Sequence, residues 1–159
     1  MPKRYWLLKS EPAVFGIDRL AAEPGARSAW TGVRNYQARN FMRDDMRIGD
    51  RAFFYHSSCA RPGIAGIVEV TREAFPDPTQ FDPSSEYFDP GASVERPRWF
   101  CVEVRLVRKT RPIGLEELRT HPELAGMGVL RRGNRLSIQP VDAAEWRFLC
   151  ERLAAAEPA

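Results

Sequence analysis

Apolar and polar residues alternate along several short runs of the chain, and this pattern predicts β-strands. The clearest run is 99–109, in which Phe100, Val102, Val104 and Leu106 would share one face of a long strand. Four shorter runs rich in aromatic and aliphatic residues are also predicted strands: 4–10, 51–57, 63–70 and 135–141. The chain therefore carries enough strands to form a sheet of five or more.

Short helices are predicted between these strands, where apolar residues recur at helical spacing or Gly and Pro are absent. The predicted helices are 17–23, 35 to about 46, 114–121 and 142–156. The last is the clearest, because Asp142 is a favourable N-cap and Glu145 follows three residues later, close to a capping box. Strands interleaved with short helices and a closing helix predict an α+β fold, a small mixed β-barrel.

Residues 75–98 are too rich in proline for regular secondary structure. A loop of this length is uncommon in a compact domain, so we expect it to be functional or to pack as a flap. The chain shows no internal repeat and no composition change that would mark a boundary. We therefore predict one domain over residues 1–159.

Composition adds only a modest bias towards an anionic partner. The chain is 43% hydrophobic and 28% charged, with a net charge of +3 and an isoelectric point near 9.0. No apolar run approaches the roughly 20 residues of a membrane span, and the N-terminus lacks the apolar core of a signal peptide. We expect a cytoplasmic protein that does not bind a membrane, with a monomer favoured although the sequence leaves the oligomeric state open.

The sequence offers no pattern for a metal, a cofactor or a catalytic centre. Cys59, Cys101 and Cys150 form no C-x-x-C pair, and His56 and His121 do not complete a familiar zinc spacing. The phosphate-binding, dinucleotide-binding and zinc-deaminase motifs are absent. We predict no metal, no cofactor and no catalytic residue.

The segment 30–43 is unusually rich in groups that bind nucleotides. It carries Arg34, Arg39 and Arg43 without any acidic residue, together with Trp30 for stacking and the amides Asn35, Gln37 and Asn40. Arginine binds phosphate, amides match base edges, and a helix N-terminus attracts anions. A helix with solvated arginines and a core-facing Tyr36 and Phe41 would give the same pattern, so both interpretations stay open.

Two further pairs of residues are candidates for lining a polar pocket. Lys9 and Ser10 end the first strand, and Ser10 either caps a turn or faces a pocket with Lys9. Ser137 and Gln139 lie two residues apart and share one strand face, which either lines a pocket or meets solvent. The basic surface beside them is extended by Arg131, Arg132 and Arg135, unless these form a solvated turn.

Several motifs together resemble the EVE-domain family, which includes single-domain bacterial proteins and the thymocyte nuclear proteins. They are "YWLLKSEP", "GVRNYQARNFMR", "FFYHS", "GIAGIVEV" and "RLSIQPV", and they run in order from about Tyr5 to Trp146. The resemblance covers nearly the whole chain. It implies a PUA-like fold, which is a small, mostly antiparallel β-barrel surrounded by short helices.

The resemblance also implies a pocket that accepts a single flipped base. Carried onto this sequence, the pocket residues are Lys9, Ser10, Glu11, Trp30, Val33, Arg34, Asn35, Gln37, His56, Ser57, Arg135, Ser137 and Gln139. Cations that would contact the nucleic-acid backbone are Arg39, Arg43, Arg131 and Arg132, with Arg34 shared between backbone and pocket. Such backbone contacts would depend on salt and not on sequence.

The leading hypothesis is a non-catalytic module that captures a modified base in DNA or RNA. The alternative is an amidohydrolase acting on modified nucleosides, like ASCH relatives, in which Lys9 and Glu11 would act as nucleophile and acid–base. A third possibility is a protein-interaction domain whose pocket has lost its ligand.

Overall fold

The computed structural model of the protein describes residues 3–153. Within them, six strands form one mixed sheet in the order β2-β5-β4-β3-β1-β6. The strands are β1 (Tyr5–Ser10), β2 (Arg27–Ala29), β3 (Arg51–His56), β4 (Gly63–Pro76), β5 (Phe100–Gly114) and β6 (Ile138–Val141). The pair β1–β3 is parallel and the other pairs are antiparallel, so the predicted mostly antiparallel α+β fold is confirmed.

The helices are short and lie around the sheet. They are α1 (Pro12–Phe15), α2 (Ile17–Ala22), α3 (Tyr36–Asn40), α4 (Leu115–Arg119) and α5 (Ala143–Phe148). Both α3 and α5 continue as a π-helical turn, over Phe41–Asp45 and Leu149–Leu153. No helix in the described part of the chain has the length and apolar character needed to cross a bilayer.

In the central strands, side chains of alternate residues enter two apolar layers, one on each face of the sheet. In β3, Phe54 packs with the helices α2 and α3 on one face. Phe53, its neighbour, packs with Trp146 of α5 on the other face, where the two rings stack 4.2 Å apart. The alternation read from the sequence therefore reflects a sheet that is covered on both sides.

The sheet bends without closing. Register shifts interrupt the pairing of β4 with both β3 and β5, and such bulges bend a strand and increase its twist. The two edge strands, β2 and β6, are not paired with each other among the described residues, so the barrel in the predicted fold is incomplete. Trp30, directly after β2, and Ser137, directly before β6, nevertheless line one cleft. The two edges thus reach a shared opening.

Some predicted boundaries differ from the structure for local reasons. β6 begins at Ile138 instead of Arg135, because the Asn134 side chain accepts the Leu136 N–H and holds these residues in a turn. β4 and β5 are longer than predicted, ending at Pro76 and Gly114.

The capping box predicted for α5 is present, with reciprocal bonds between Asp142 and Glu145. The first turn of this helix therefore has its free N–H groups satisfied from within the motif. Residues 154–156 of the predicted helix lie outside the described residues.

Residues 77–98, called the flap below, have little regular structure but are well anchored. Asp77 and Gln80 are both fully buried polar residues at its start. The Gln80 side chain donates to the backbone oxygens of Asp77 and Trp99 and accepts the N–H groups of Arg98 and Trp99. Since every polar group of this amide is paired inside the protein, the flap is a fixed part of the fold.

Candidate nucleic-acid interface

A cleft of about 950 Å³ opens where three strands meet at one end of the sheet. Because β1 and β3 run parallel, their carboxyl ends lie side by side, and the backbone N–H of Ser57 donates to Ser10 O at 2.9 Å. β6 is antiparallel to β1, so its first residues arrive at the same end, where Lys9 N–H donates to Ser137 O at 2.8 Å. Three distant sequence motifs therefore meet in one place.

The cleft gathers most of the residues predicted for the pocket. Nine of these line it: Lys9, Ser10, Glu11, Trp30, Val33, Arg34, Ser57, Arg135 and Ser137. Arg131 and Arg132, which were predicted for the nucleic-acid backbone, line it as well. The structure thus joins residues from three separate parts of the chain, 9–34, 55–62 and 129–137, around one opening.

Two predicted pocket residues on α3 lie outside the lining. Asn35 caps the helix by accepting the Ala38 N–H at 3.0 Å. Gln37 is exposed on the helix surface. The Asn35 amide therefore satisfies a helix terminus and is not turned to the opening.

Two further predicted pocket residues, Gln139 and His56, also lie outside the lining and have structural contacts instead. Gln139 is 3% exposed and donates to Leu136 O at 2.8 Å. His56 accepts the Ile17 N–H at Nε2. Burial lowers the pKa of this imidazole, an effect that the Asp18 carboxylate partly offsets. Both side chains thus hold the backbone around the cleft.

Trp30 lines the cleft, but neighbouring rings cover most of its indole, so it offers no broad face for stacking. The side chain is 6% exposed and packs edge-to-face against Phe54 and Phe15, with centroids 5.3 and 6.4 Å away. Among the described residues its N–H has no hydrogen-bond partner, and no buried polar side-chain atom is left without one. The N–H therefore reaches solvent, and Trp30 offers a free hydrogen-bond donor to a ligand.

Arg34 lines the cleft but its donors point into the protein. Nη1 donates to Asp77 Oδ2 at 3.1 Å and to Val33 O, Nη2 to Thr79 Oγ1 and Tyr87 O, and Nε to Tyr87 O. A guanidinium group has five N–H donors, and these five bonds use them. Arg34 therefore holds the flap, and a phosphate could bind it only by displacing these partners.

Gly32 lies beneath the flap in a conformation that other residues rarely adopt. Its φ is +85°, and an added Cβ would lie 2.8 Å from two ring carbons of Tyr87. Its N–H donates to Asp77 Oδ2 at 2.8 Å. This close approach seats the Tyr87 ring on the segment after β2, so the flap forms one wall of the cleft.

Arg39 and Arg43, predicted to contact the nucleic-acid backbone, do not line the cleft. Arg39 donates to Arg98 O at 2.9 Å and lies 4.7 Å over the ring of Tyr36. Arg43 makes two hydrogen bonds to Asp44 on the surface. Both side chains thus have partners within the protein.

The loop 131–135 carries the arginines that remain available. In the part of the chain that the structure describes, Arg131, Arg132 and Arg135 form no ion pair. Asn134 holds the loop in place by donating to Gly128 O at 2.9 Å and accepting the Leu136 N–H. An anchored turn therefore presents unpaired guanidinium groups to the cleft.

The lining as a whole is strongly basic. Its single acidic residue is Glu11, against the cationic residues Lys9, Arg19, Arg34, Arg119, Arg131, Arg132 and Arg135. Arg34 and Arg119 are paired with Asp77 and Glu116, which leaves a positive excess facing the opening. Such a concave basic surface attracts polyanions.

Sequence reasoning missed several residues of the lining. Phe15, Arg19, Tyr87, Arg119 and Asn134 all line the cleft. Phe15 and Arg19 follow the "KSEP" motif within a few residues, so proximity to that motif could have indicated them. Tyr87 has no local indication, because its position depends on the fold of the whole flap. Among the described residues, no cluster of His, Cys, Asp and Glu could hold a metal ion.

Comparison with known proteins gives consistent matches over most of the chain. The EVE domain family profile matches residues 4–152. Mouse thymocyte nuclear protein 1 is 43% identical over 163 residues, which cover 91% of this chain and 71% of that protein. A solved protein from Pseudomonas syringae is 44% identical with a TM-score of 0.87, covering 92% of this chain and 97% of its own.

One solved relative contains nucleic acid. Human THYN1 protein, in complex with DNA containing 5-methylcytosine, is 42% identical with a TM-score of 0.89, covering 98% of this chain and all (100%) of its own. A mutant ASCH protein from Zymomonas mobilis covers 94% of this chain and 99% of its own with a TM-score of 0.54, but at 9% identity it shows a shared fold alone.

Proposed function

The chain belongs to the EVE-domain family, and from the geometry of its cleft we propose a non-catalytic module that captures a modified base of DNA or RNA. In this proposal the chain acts as a single-domain monomer in the cytoplasm and binds one base at a time in the cleft at the carboxyl ends of β1 and β3. The relative in complex with 5-methylcytosine-containing DNA supports a nucleic-acid partner of this kind.

The observation that carries the proposal is the presence of two kinds of group around one opening. Unpaired arginines lie on the loop 131–135, whereas the neutral groups of Trp30, Ser57 and Ser137 lie among the other lining residues. Phosphates bind cations, and base edges bind neutral donors and acceptors. The cleft therefore matches a nucleotide better than it matches a plain anion.

A base that enters the cleft must first leave its stack. Unstacking costs a few kcal/mol and is least costly for a base that is already single-stranded or weakly paired. Contacts to the Trp30 N–H and the apolar walls offset that cost, and the arginines of the loop 131–135 hold the adjacent phosphates. We therefore expect tighter binding to single strands and mismatched sites than to perfect duplexes.

Fluorescence anisotropy titrations test the proposal. The probes are labelled DNA and RNA strands that differ at one position, with 5-methylcytosine in one strand and cytosine in the other. We expect the modified strand to bind about fourfold more tightly, because burial of one added methyl group contributes about 0.8 kcal/mol. Equal affinities for modified and plain strands, across a panel of base modifications, would contradict base capture.

A labelled strand with an N-acylated base, added to this panel, tests the amidohydrolase alternative, because cytosine and 5-methylcytosine carry no acyl amide to hydrolyse. Among the described residues no hydrogen bond or ion pair joins Lys9 to Glu11, the pair that such an enzyme would use. We expect mass spectrometry to recover every strand unchanged after prolonged incubation. Release of a base substituent by the wild type, and its loss in Lys9→Arg, would favour an enzyme over a binding module.

A further inference from the structure

Lysine is rare in this chain, and one of its lysines lies in the cleft. Of 24 cationic residues only Lys3, Lys9 and Lys109 are lysines, so 21 are arginines (24 − 3). Lys9 is the single lysine among the residues that line the cleft, and the other six cations there are arginines. The arginines of the loop 131–135 already supply cations for binding phosphate, so a lysine at this place points to chemistry that arginine cannot perform.

The surroundings of Lys9 shift its amine towards the neutral form. The side chain is half-buried at the end of β1 and, in the part of the chain described, has no acidic partner. Its one hydrogen bond is a long one, from Nζ to Asn134 O at 3.4 Å. Burial lowers the pKa of the Lys9 ammonium group, so a larger fraction carries a free lone pair at neutral pH than in an exposed lysine.

Lys109 shows the opposite arrangement within the same chain. It lies on β5, away from the cleft, and its Nζ is bonded to the carboxylate of Asp18. This ion pair engages the Lys109 amine with a carboxylate, whereas the Lys9 amine has no such partner among the described residues. Lys3 is exposed near the start of the described chain. Lys9 therefore differs from both other lysines in burial and in its partners.

A neutral lysine amine beside a captured base can react with an aldehyde on that base. We propose that Lys9 forms a reversible imine with a base that carries a formyl group, such as 5-formylcytosine. This inference rests on the proposed function, because the base must first enter the cleft.

The reaction balances without any oxidant, reductant or cofactor. The Nζ lone pair attacks the aldehyde carbon, the carbonyl oxygen takes up a proton, and the resulting carbinolamine loses water to give the C=N bond. Addition of water reverses each step and releases the strand. Arginine cannot take part, because its guanidinium group does not lose its proton in proteins. The formyl base would thus be held by a covalent bond in addition to the contacts available to a methylated base.

Reductive trapping tests the proposal on the whole protein. The protein is incubated with a DNA strand bearing one 5-formylcytosine in the presence of cyanoborohydride, which reduces an imine to a stable secondary amine. Matched strands carry 5-methylcytosine or cytosine. We expect one protein–DNA adduct with the formyl strand alone, and peptide mapping should place it on Lys9.

Lysine-to-arginine variants provide matched controls, because they keep the positive charge. Lys9→Arg should lower the adduct yield at least about tenfold, because a guanidinium group does not lose its proton and so forms no imine, whereas Lys3→Arg and Lys109→Arg should leave it unchanged. An equal adduct yield in Lys9→Arg, or an adduct spread over all three lysines, would overturn the proposal.

The experiment separates this inference from the proposed function. If the formyl and methyl strands both bind more tightly than plain cytosine and no Lys9 adduct forms, base capture stands and the imine is wrong. If neither strand binds more tightly than plain DNA, the proposed function itself fails. A circular dichroism spectrum of Lys9→Arg that matches the wild type shows that loss of the adduct is not loss of folding.

Discussion

Two arginine-rich regions of this protein, the segment 30–43 and the loop 131–135, look alike in sequence and differ in what their arginines contact. Arg34 donates all of its hydrogen bonds to the flap and to its own backbone neighbour, and Arg43 pairs with Asp44. The arginines of the loop 131–135 form no ion pair in the described structure and line the cleft. The first region builds the wall of the cleft, and the second supplies its charge.

The difference shows that a basic motif cannot be assigned to a ligand before its acidic partners are known. Asp77 is the partner that changes the role of Arg34, and it lies 43 residues further along the chain. The loop 131–135 has no such partner among the described residues, because its backbone is held instead by the neutral side chain of Asn134. Four sets of substitutions test this division of roles.

Arg34→Ala should have the largest effect, on stability. The substitution removes the cation beside the carboxylate of Asp77, whose side chain is 1% exposed while that of Arg34 is 22% exposed. Because only one partner is fully buried, the loss should lie near about 3 kcal/mol, the lower end of the range for buried pairs. Urea denaturation measures the loss. Arg43→Ala is the control, because removing an exposed ion pair should change the free energy of unfolding by less than about 1 kcal/mol. If Arg34→Ala and Arg43→Ala lowered the free energy of unfolding equally, Arg34 would stabilise the fold no more than an exposed arginine does.

Replacing Arg131, Arg132 and Arg135 together by Ala should have the next largest effect, on binding. The plot of log affinity against log salt concentration should become shallower by about 2–3, because each lost phosphate contact removes about 0.7–0.9 from its slope. Unfolding by urea should be nearly unchanged, since these side chains form no ion pair in the described structure. A slope equal to that of the wild type would show that these three arginines do not contact the phosphates of the strand.

Trp30→Phe tests a residue of the segment 30–43 whose side chain lines the cleft and has an unpaired donor. The change keeps an aromatic ring and removes the N–H, so the affinity for the modified strand and for the plain strand should fall together by about 1 kcal/mol, roughly fivefold. Trp99→Phe is the matched control: that indole is equally buried, but its N–H donates to Asp89 at 2.8 Å. We expect Trp99→Phe to lower stability and to leave the affinity for both strands unchanged.

His56 should give the smallest effect, a pH dependence of stability. Burial lowers the pKa of the folded imidazole below its unfolded value of about 6.5, so the unfolded chain binds more protons in the window between the two values. The free energy of unfolding should therefore be highest above that window and should decrease as the pH is lowered through it. Urea midpoints measured from pH 8 to about pH 5 test this prediction. In His56→Gln, whose side chain can still accept the Ile17 N–H, the urea midpoint should depend less on pH.

The sequence was sufficient to predict those structural features that are determined by residues close together along the chain. Alternation in the strands, the capping box at Asp142 and the breaks at Gly and Pro all follow from local chemistry, and the structure has them. The roles of Asn35, Gln139 and Arg34 depend on the partners that the fold supplies, so their residue types alone suggested a ligand. Tyr87 was missed for the same reason, because only the approach of the flap to Gly32 brings it to the cleft.

The cleft draws on residues from Lys9 near the start of the chain to Ser137 near its end. A fragment truncated before the loop 131–135 would therefore lack both the unpaired arginines and the third strand of the opening. Such a fragment could fold in part and still not form the complete cleft.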